Sequence, residues 1–447
     1  MELPQDVVWA LGKLESVGWE SYAVGGCVRD SLLGREPHDW DLCTAAPPEE
    51  MKKVFAGERV IETGLKHGTL TVLTPSMPLE ITTFRTEGGY SDCRHPDSVS
   101  FVRDIREDLA RRDFTINAMA YSPTRGLRDD FGGREDLQNG IIRCVRDADE
   151  RFNEDALRIL RALRFAARYD FSIAPETAGA LRKNRALLSR ISPERIFSEL
   201  KGILCAHGAG KMLLEFPEVF FVPLPEMEPM LGFEQHRPDC HQWDVWGHTA
   251  HAVDAIAPDP ILRLTMFFHD CSKPHCLTFD ESGRGHFYTH PAESAVLTDT
   301  MLRRLRCDNE TRETVVTLVA NHEMQTGHSK KAVRRLLAGI GEENMRRLML
   351  IRRADASAHA DEARVRLTAL ADADEQLLNE LIAEQGCLHV RDLAVTGGDI
   401  VALGVQPGRT VGGILSHLLD AVLDETLPNE REALLSEAKK EMSSYEQ

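Results

Sequence analysis

The sequence contains no run of roughly 18 apolar residues, so no segment reads as a membrane-spanning helix. Its opening, Met1 to Asp6, offers neither a basic stretch nor a long apolar one, which argues against a secretory signal. Cysteine is thinly spread. The ten residues form no Cys-x-x-Cys pair, which speaks against a thiolate zinc site and against a disulfide framework. That pattern suits reduced thiols in the cytoplasm. Positive charge is also short: 53 Lys and Arg face 71 Asp and Glu, for a net charge of −18. Phosphate binding needs clustered cations, so the whole-chain charge argues against a nucleic-acid partner unless the basic residues are segregated. What remains is ordinary: 42% apolar and 28% charged residues over 447 positions. That composition can bury cores, and at roughly 150 residues per domain it suits two to four of them.

Residues 1–140 mix the helical spacing of Val7 to Val17 with short strand-like runs at Tyr22–Val24, Thr69–Leu73 and Leu79–Phe84. Arg85 to Phe101 is rich in Gly, Ser, Asp and Pro and reads as a long loop. From Glu154 to Leu200 the pattern is helical and rich in arginine. Residues 214–240 carry five prolines and read as a linker. Histidines then concentrate between Cys240 and Ala360, and an acidic helical tail follows from Asp361.

Two constellations carry chemistry. In the first, Gly25 and Gly26 close an apolar strand and open a helix, where backbone N–H groups can meet an anion. Asp39 and Asp41 stand two residues apart, so on a strand both face one side while Trp40 faces the other. Glu80 lies inside an apolar strand, an unfavourable place for an acid without a role. Three such carboxylates suit two Mg²⁺ ions in phosphoryl transfer. Arg111-Arg112-Asp113-Phe114-Thr115-Ile116-Asn117-Ala118 reads as a ribose and phosphate clamp or as a capped helix start. Along the segment from Glu154, Asp155, Arg158 and Arg161 fall at helical intervals, with Arg164 one turn on. They form either a salt-bridged surface or a side-chain template for a base.

These segments, with Asp130-Phe131-Gly132-Gly133-x-x-Asp136-Leu137 and Ser192-Pro193-Glu194-Arg195, resemble the class II tRNA nucleotidyltransferase and bacterial poly(A) polymerase family. The resemblance implies an α+β chain. A small mixed-sheet nucleotidyltransferase head (1–140) would precede an all-helical neck (141–232), a metal-binding domain (233–360) and a helical tail (361–447). It implies template-independent addition of C, C and A to the tRNA 3′ end from CTP and ATP. Poly(A) synthesis, or CC-only or A-only addition, are alternatives on the same fold. Asp39 and Asp41 would bind two Mg²⁺ ions, and Glu80 would help deprotonate the attacking hydroxyl. Gly25, Gly26 and Arg29 would meet the phosphates, and Arg112 and Asp113 the sugar and phosphate side. Asp155 and Arg158 would pair with the base, supported by Arg161 and Arg164. The Arg85–Phe101 loop would switch C to A addition, and Asp130–Leu137 would be the hinge.

In the second constellation, His248, His269-Asp270 and Asp355 have the order and chemistry of ligands for a divalent ion. With Lys273 they resemble the HD phosphohydrolase domain, which implies a divalent transition metal or Mg²⁺ on those four residues. His290 and His322 are further candidates, while His275, His286 and His328 read as solvated or structural. A metal phosphohydrolase with an RNA-binding head is thus the alternative of another class. The tail motif Thr396-Gly397-Gly398-Asp399 through Gly413 reads as helix–turn–helix and resembles the family's RNA-binding end. Charge is indeed segregated. Residues 141–210 hold 13 Lys and Arg against 9 Asp and Glu, and 328–353 hold 8 against 2. The tail from 361 holds 7 against 17. tRNA would therefore follow the neck and the 328–353 stretch.

Overall fold

The computed structural model describes residues 1–89, 98–237, 239–324, 326, 327, 329–384 and 386–445. It forms two compact units, Met1–Glu228 and Pro229–Gln447.

The first unit is built on a mixed seven-stranded sheet. Its strands are β1 (Ser21–Val24), β2 (Asp41–Thr44), β3 (Arg59–Ile61), β4 (Thr69–Leu73), β5 (Pro78–Thr83), β8 (Ala120–Ser122) and β9 (Gly126–Arg128). They lie in the order β3-β4-β5-β2-β1-β8-β9. Only β2 and β5 pair in parallel, in a register that sets Asp41 beside Glu80. Helix α1 (Gln5–Ser16) buries Val7, Ala10, Leu11 and Leu14, the stripe its spacing predicts. Helices α2 (Gly26–Leu32), α3 (Pro48–Val54), α4 (Ile105–Ala110) and α5 (Gly133–Asn139) complete the head.

The expected loop from Arg85 to Phe101 is instead anchored by a hairpin. Strands β6 (Arg85–Gly88) and β7 (Ser98–Phe101) pair antiparallel, and residues 90–97 lie outside the described residues. Glu87 supplies the physical reason that composition hid. Its carboxylate accepts from Arg111 Nη1 at 2.9 Å, while Arg111 Nε donates to the Arg85 carbonyl at 3.1 Å.

The rest of the first unit, the stretch expected as the neck, is helical: α6 (Ala148–Glu154), α7 (Leu157–Tyr169), α8 (Pro175–Asn184), α9 (Pro193–Leu204), α10 (Ala209–Glu215) and α11 (Pro217–Phe220). The proline-rich stretch is not a loose linker over its first half. Pro217 opens α11, where a missing N–H costs nothing, and Phe216, Val219, Phe220, Leu224 and Met227 are fully buried or nearly so.

The second unit is helical: α12 (Val245–Ala255), α13 (Pro260–Phe268), α14 (Lys273–Cys276), α15 (His290–Arg304), α16 (Asn309–Asn321), α17 (Lys330–Ser357), α18 (Asp361–Ala383), α19 (Gly397–Ala402), α20 (Arg409–Leu423) and α21 (Arg431–Tyr445). The tail closes its own small core, including Val395, Ile400, Ile414, Leu418 and Leu434.

The 328–353 cations do not form an open basic face. Lys330 pairs with Glu384, Lys331 and Arg335 with Asp424, and Arg334 with Glu425. Arg346 and Arg347 pair one turn back with Glu342 and Glu343, Arg352 with buried Asp374, and Arg353 with Asp372 and Glu375. Sequence counts could not show this, because, apart from Glu342 and Glu343, the acids come from the tail that folds back along α17. The acidic excess of the tail is largely the counter-charge of that stretch.

Candidate active site

The head's acidic group forms where β2 begins. Trp40 is buried while its neighbours Asp39 and Asp41 are exposed, so the alternation puts both carboxylates on one side. Asp39 precedes the strand rather than lying within it. The parallel register adds Glu80, exposed between buried Leu79 and Ile81. Loss of solvation raises the Asp41 carboxyl above its ordinary value; Arg112 opposes the shift, while Glu80 and Asp39 add to it. The set is therefore rich in negative charge, with Arg112 as its neighbouring cation.

Arg112 is held against the glycine turn. A Cβ on Gly25, whose φ is +82°, would stand 2.8 Å from Arg112 Nη1, so only glycine admits the guanidinium there. Arg112 Nη2 also reaches Asp108. Arg29 is buried and committed. It donates to both Asp30 oxygens and to Asn117 Oδ1, and it lies over the rings of Phe165 and Tyr169.

Asp113 takes four hydrogen bonds, from the Phe114 backbone N–H, Asn117 Nδ2, and Arg161 Nε and Nη2. Burial works against its charge, but Arg161 and Asn117 prevail and lower its pKa to about 2. Arg161 in turn is raised above its usual range, chiefly by Asp113. Arg164 pairs with Glu199 on α9 at 2.8 Å.

Asp155 does not continue one helix with Arg158. Helix α6 ends at Glu154, and Asp155 is extended at φ −136°, its Oδ1 accepting the Leu157 backbone N–H. Aspartate competes with the helix for backbone donors, which is why the run breaks there. Its other oxygen accepts from Arg195 at 3.1 Å. Arg158 is buried, donating to Glu154 and to the carbonyls of Arg151 and Arg111. The Asp130–Leu137 segment packs tightly: a Cβ on Gly133 would stand 2.2 Å from the Thr115 carbonyl oxygen, and Asp136 accepts from the Thr115 hydroxyl. Glu199, Asp108 and the Phe165–Tyr169 shelf went unread, since nothing near them in sequence marks them.

In the second unit the expected ligands meet, with more beside them. His248 Nε2 lies 2.8 Å from Asp355 Oδ1 and 3.7 Å from Asp270 Oδ2. His269 Nε2 lies 3.2 Å from Asp270 Oδ2, and His290 Nε2 lies 3.2 Å from Asp270 Oδ1. His322 joins at 3.6 Å, and His359, unread in the sequence, meets the His248 ring edge-on. Burial opposes charge on His269, but Asp270 and Asp355 outweigh it and raise its pKa to about 10. His286 is partly exposed and pairs with Asp280; His328 lies outside the described residues.

Known proteins match both units. Residues 21–143 match the poly(A) polymerase head domain, and 170–219 match the probable RNA and SrmB-binding site of polymerase A. Residues 292–438 match the putative second domain of tRNA nucleotidyltransferases. The fold and its head are thus those of a nucleotidyltransferase, a class that implies dependence on divalent metal. The CCA-adding enzyme of Levilactobacillus brevis is 36% identical over 442 residues, spanning 97% of this chain and 98% of that one. That of Lactococcus lactis is 33% identical over 447 residues, 98% of each. The crystal structure of the Bacillus stearothermophilus CCA-adding enzyme in complex with CTP superposes with a TM-score of 0.71 at 27% identity, covering 100% of this chain and 99% of that one. The chain belongs to the CCA-adding enzyme family. No helix among its described residues is long and apolar enough to cross a membrane.

Proposed function

We propose that this chain adds C, C and A to the tRNA 3′ end from CTP and ATP, in the cytoplasm, where its described cysteines stay free thiols. The reading rests on one juxtaposition: Asp39 and Asp41, at the start of β2, stand with Glu80 on the adjoining central strand β5, next to an arginine held on a glycine turn. Hard carboxylate oxygens fit Mg²⁺, and the Asp41 carboxyl is already raised by loss of solvation and, less, by its acidic neighbours. Asp39 and Asp41 would hold two such ions, which would neutralise charge on the attacking and leaving oxygens. Glu80 takes the proton of the 3′-hydroxyl. The RNA oxygen bonds to the α-phosphorus, the bond to the β-phosphate bridge breaks, and pyrophosphate leaves. Gly25, Gly26 and Arg112 meet the triphosphate, while Arg29 stiffens that wall from behind. Asp113 fixes Arg161 on the sugar side. Asp155 and Arg158 face the base, exchanging contacts with Arg195 and Glu154 for contacts with it, and Arg164 supports them. The tRNA follows the neck, where exposed Arg168, Arg185 and Lys201 make no ion pair among the described residues. Asp39→Ala and Asp41→Ala should each abolish nucleotide addition while leaving tRNA affinity within about twofold, because neither carboxylate meets phosphate directly. Retained addition in either variant overturns the assignment.

We also infer that His248, His269, Asp270 and Asp355 hold a divalent ion, a transition metal or Mg²⁺. These buried imidazole and carboxylate groups converge: His248, His269 and Asp270 bring one ligand atom each within 4.8 Å of one another, and Asp355 meets His248 at 2.8 Å.

A further inference from the structure

We propose that Tyr169 is a positioning residue that keys the base-facing helix α7 to the glycine turn that meets the triphosphate, acting through Asp30 and Arg29. It rests on the nucleotide-addition reading above and adds the link between the two halves of that site.

Two guanidinium groups pack on the turn. A Cβ on Gly25 would stand 2.8 Å from Arg112 Nη1, and a Cβ on Gly26 would stand 3.5 Å from Arg29 Nη2. The Arg29 backbone N–H also donates to the Gly25 carbonyl. A shift of Arg29 is therefore felt at the turn.

Every nitrogen of the Arg29 guanidinium is committed. Nε and Nη2 donate to the two Asp30 oxygens at 2.9 and 3.0 Å, and Nη1 donates to Asn117 Oδ1. Arginine only donates and an ionised aspartate only accepts. Asn117 is thus fixed with its oxygen toward Arg29 and its amide nitrogen toward Asp113. Asp113 accepts in turn from Arg161, on α7. The other branch returns to the same helix. The Tyr169 hydroxyl, at the end of α7, donates to Asp30 Oδ1 at 2.9 Å. Burial works against charge on Asp30, but Arg29, and after it Tyr169, prevail and hold the carboxyl below its usual range. The guanidinium also lies 5.2 Å from the Phe165 ring centroid and 5.0 Å from that of Tyr169. The path Tyr169, Asp30, Arg29, Asn117, Asp113, Arg161 is closed by α7 itself.

Spacing gives that circuit its use. Arg161 and Tyr169 are two turns apart on α7, about 12 Å at 1.5 Å per residue. Relative to α2, a tether at Arg161 alone fixes a point and leaves a pivot; the second tether fixes tilt and advance. Arg158 and Arg164, on either side of Arg161, then keep a set distance from the turn. A base seated against this helix therefore sets where its α-phosphate stands before the attacking hydroxyl. The hydroxyl of Tyr169 carries this role, since phenylalanine would keep the ring contacts and lose only the bond to Asp30.

The test is single-turnover addition to a tRNA ending at the discriminator base by the full chain carrying Tyr169→Phe. The maximal rate with CTP should fall about tenfold, while the CTP concentration giving half that rate stays within about twofold, as a displaced α-phosphate requires. Selectivity in that rate for CTP over UTP should narrow by the same factor, because a wrong base no longer shifts the turn. In an Asp30→Asn background Tyr169→Phe should change nothing further, since the hydroxyl acts through that carboxylate. An unchanged rate, whatever the thermal midpoint, overturns the proposal and leaves the nucleotide-addition reading standing. So does a loss seen only as weaker CTP binding, a slowed rate with selectivity kept, or a loss that adds in full to that of Asp30→Asn. No addition by the unmutated chain overturns both.

Discussion

Replacing Asp113 with Asn should destabilise the first unit by about 2 kcal/mol at neutral pH. The magnitude comes from the drop of its pKa from 3.8 to about 2. Asn keeps an acceptor for the Phe114 N–H but loses the charge that Arg161 meets at 3.0 and 2.7 Å. The sign follows from linkage. A carboxyl depressed by folding contributes its full stability above its unfolded pKa and loses it as pH falls through the folded one. The gap between wild type and variant should therefore be constant from pH 7 to about 4 and close toward pH 2. For a unit of this size about 2 kcal/mol lowers the thermal midpoint by roughly 4–8 °C. Scanning calorimetry of the full chain, following the transition of Met1–Glu228, reads it. Arg161, no longer tethered, should also raise KM for CTP more than it lowers kcat. A midpoint change under 1 °C, or one equally large at pH 7 and near pH 2, would refute the electrostatic account of this tether.

Other outcomes follow from the same geometry. Gly133→Ala should cost roughly 1–3 kcal/mol or more in denaturant unfolding, because its methyl would stand 2.2 Å from the Thr115 carbonyl oxygen. Asp270→Ala should leave nucleotide addition within about twofold, since the family match of the head contains no part of the histidine cluster. A collapse of addition in the folded variant would show that the two sites depend on each other. Arg168→Ala with Lys201→Ala should weaken tRNA binding and flatten its salt dependence by roughly one in log–log slope for each duplex phosphate left without its cation. Arg334→Ala with Arg335→Ala should instead leave that slope unchanged and loosen the tail, because both side chains are spent on Glu425 and Asp424.

The α+β class and the acidic triad were legible because their signals are local or periodic. Trp40 between two aspartates declares its alternation, and Glu80 stands out in an apolar run. The histidines that gather around Asp270 stood out by type and order. What stayed hidden depends on partners far away in sequence. The 328–353 cations looked free until Asp424, Glu425 and Glu384 closed on them. Asp155 looked like the first turn of a helix, but its side chain caps Leu157 and meets Arg195. Glu87 sat in a stretch read as loop, yet its bond to Arg111 ties down one arm of a hairpin. His359 carries no mark until α12 and α17 bring it onto His248.

The most direct measurement is single-nucleotide-resolution extension of a tRNA ending at the discriminator base, with Mg²⁺ and CTP or ATP, alone and together. Growth by two with CTP alone, by three with both, and then arrest is the predicted result. Long A tails with ATP, or no extension by a folded chain that binds the tRNA, would contradict it.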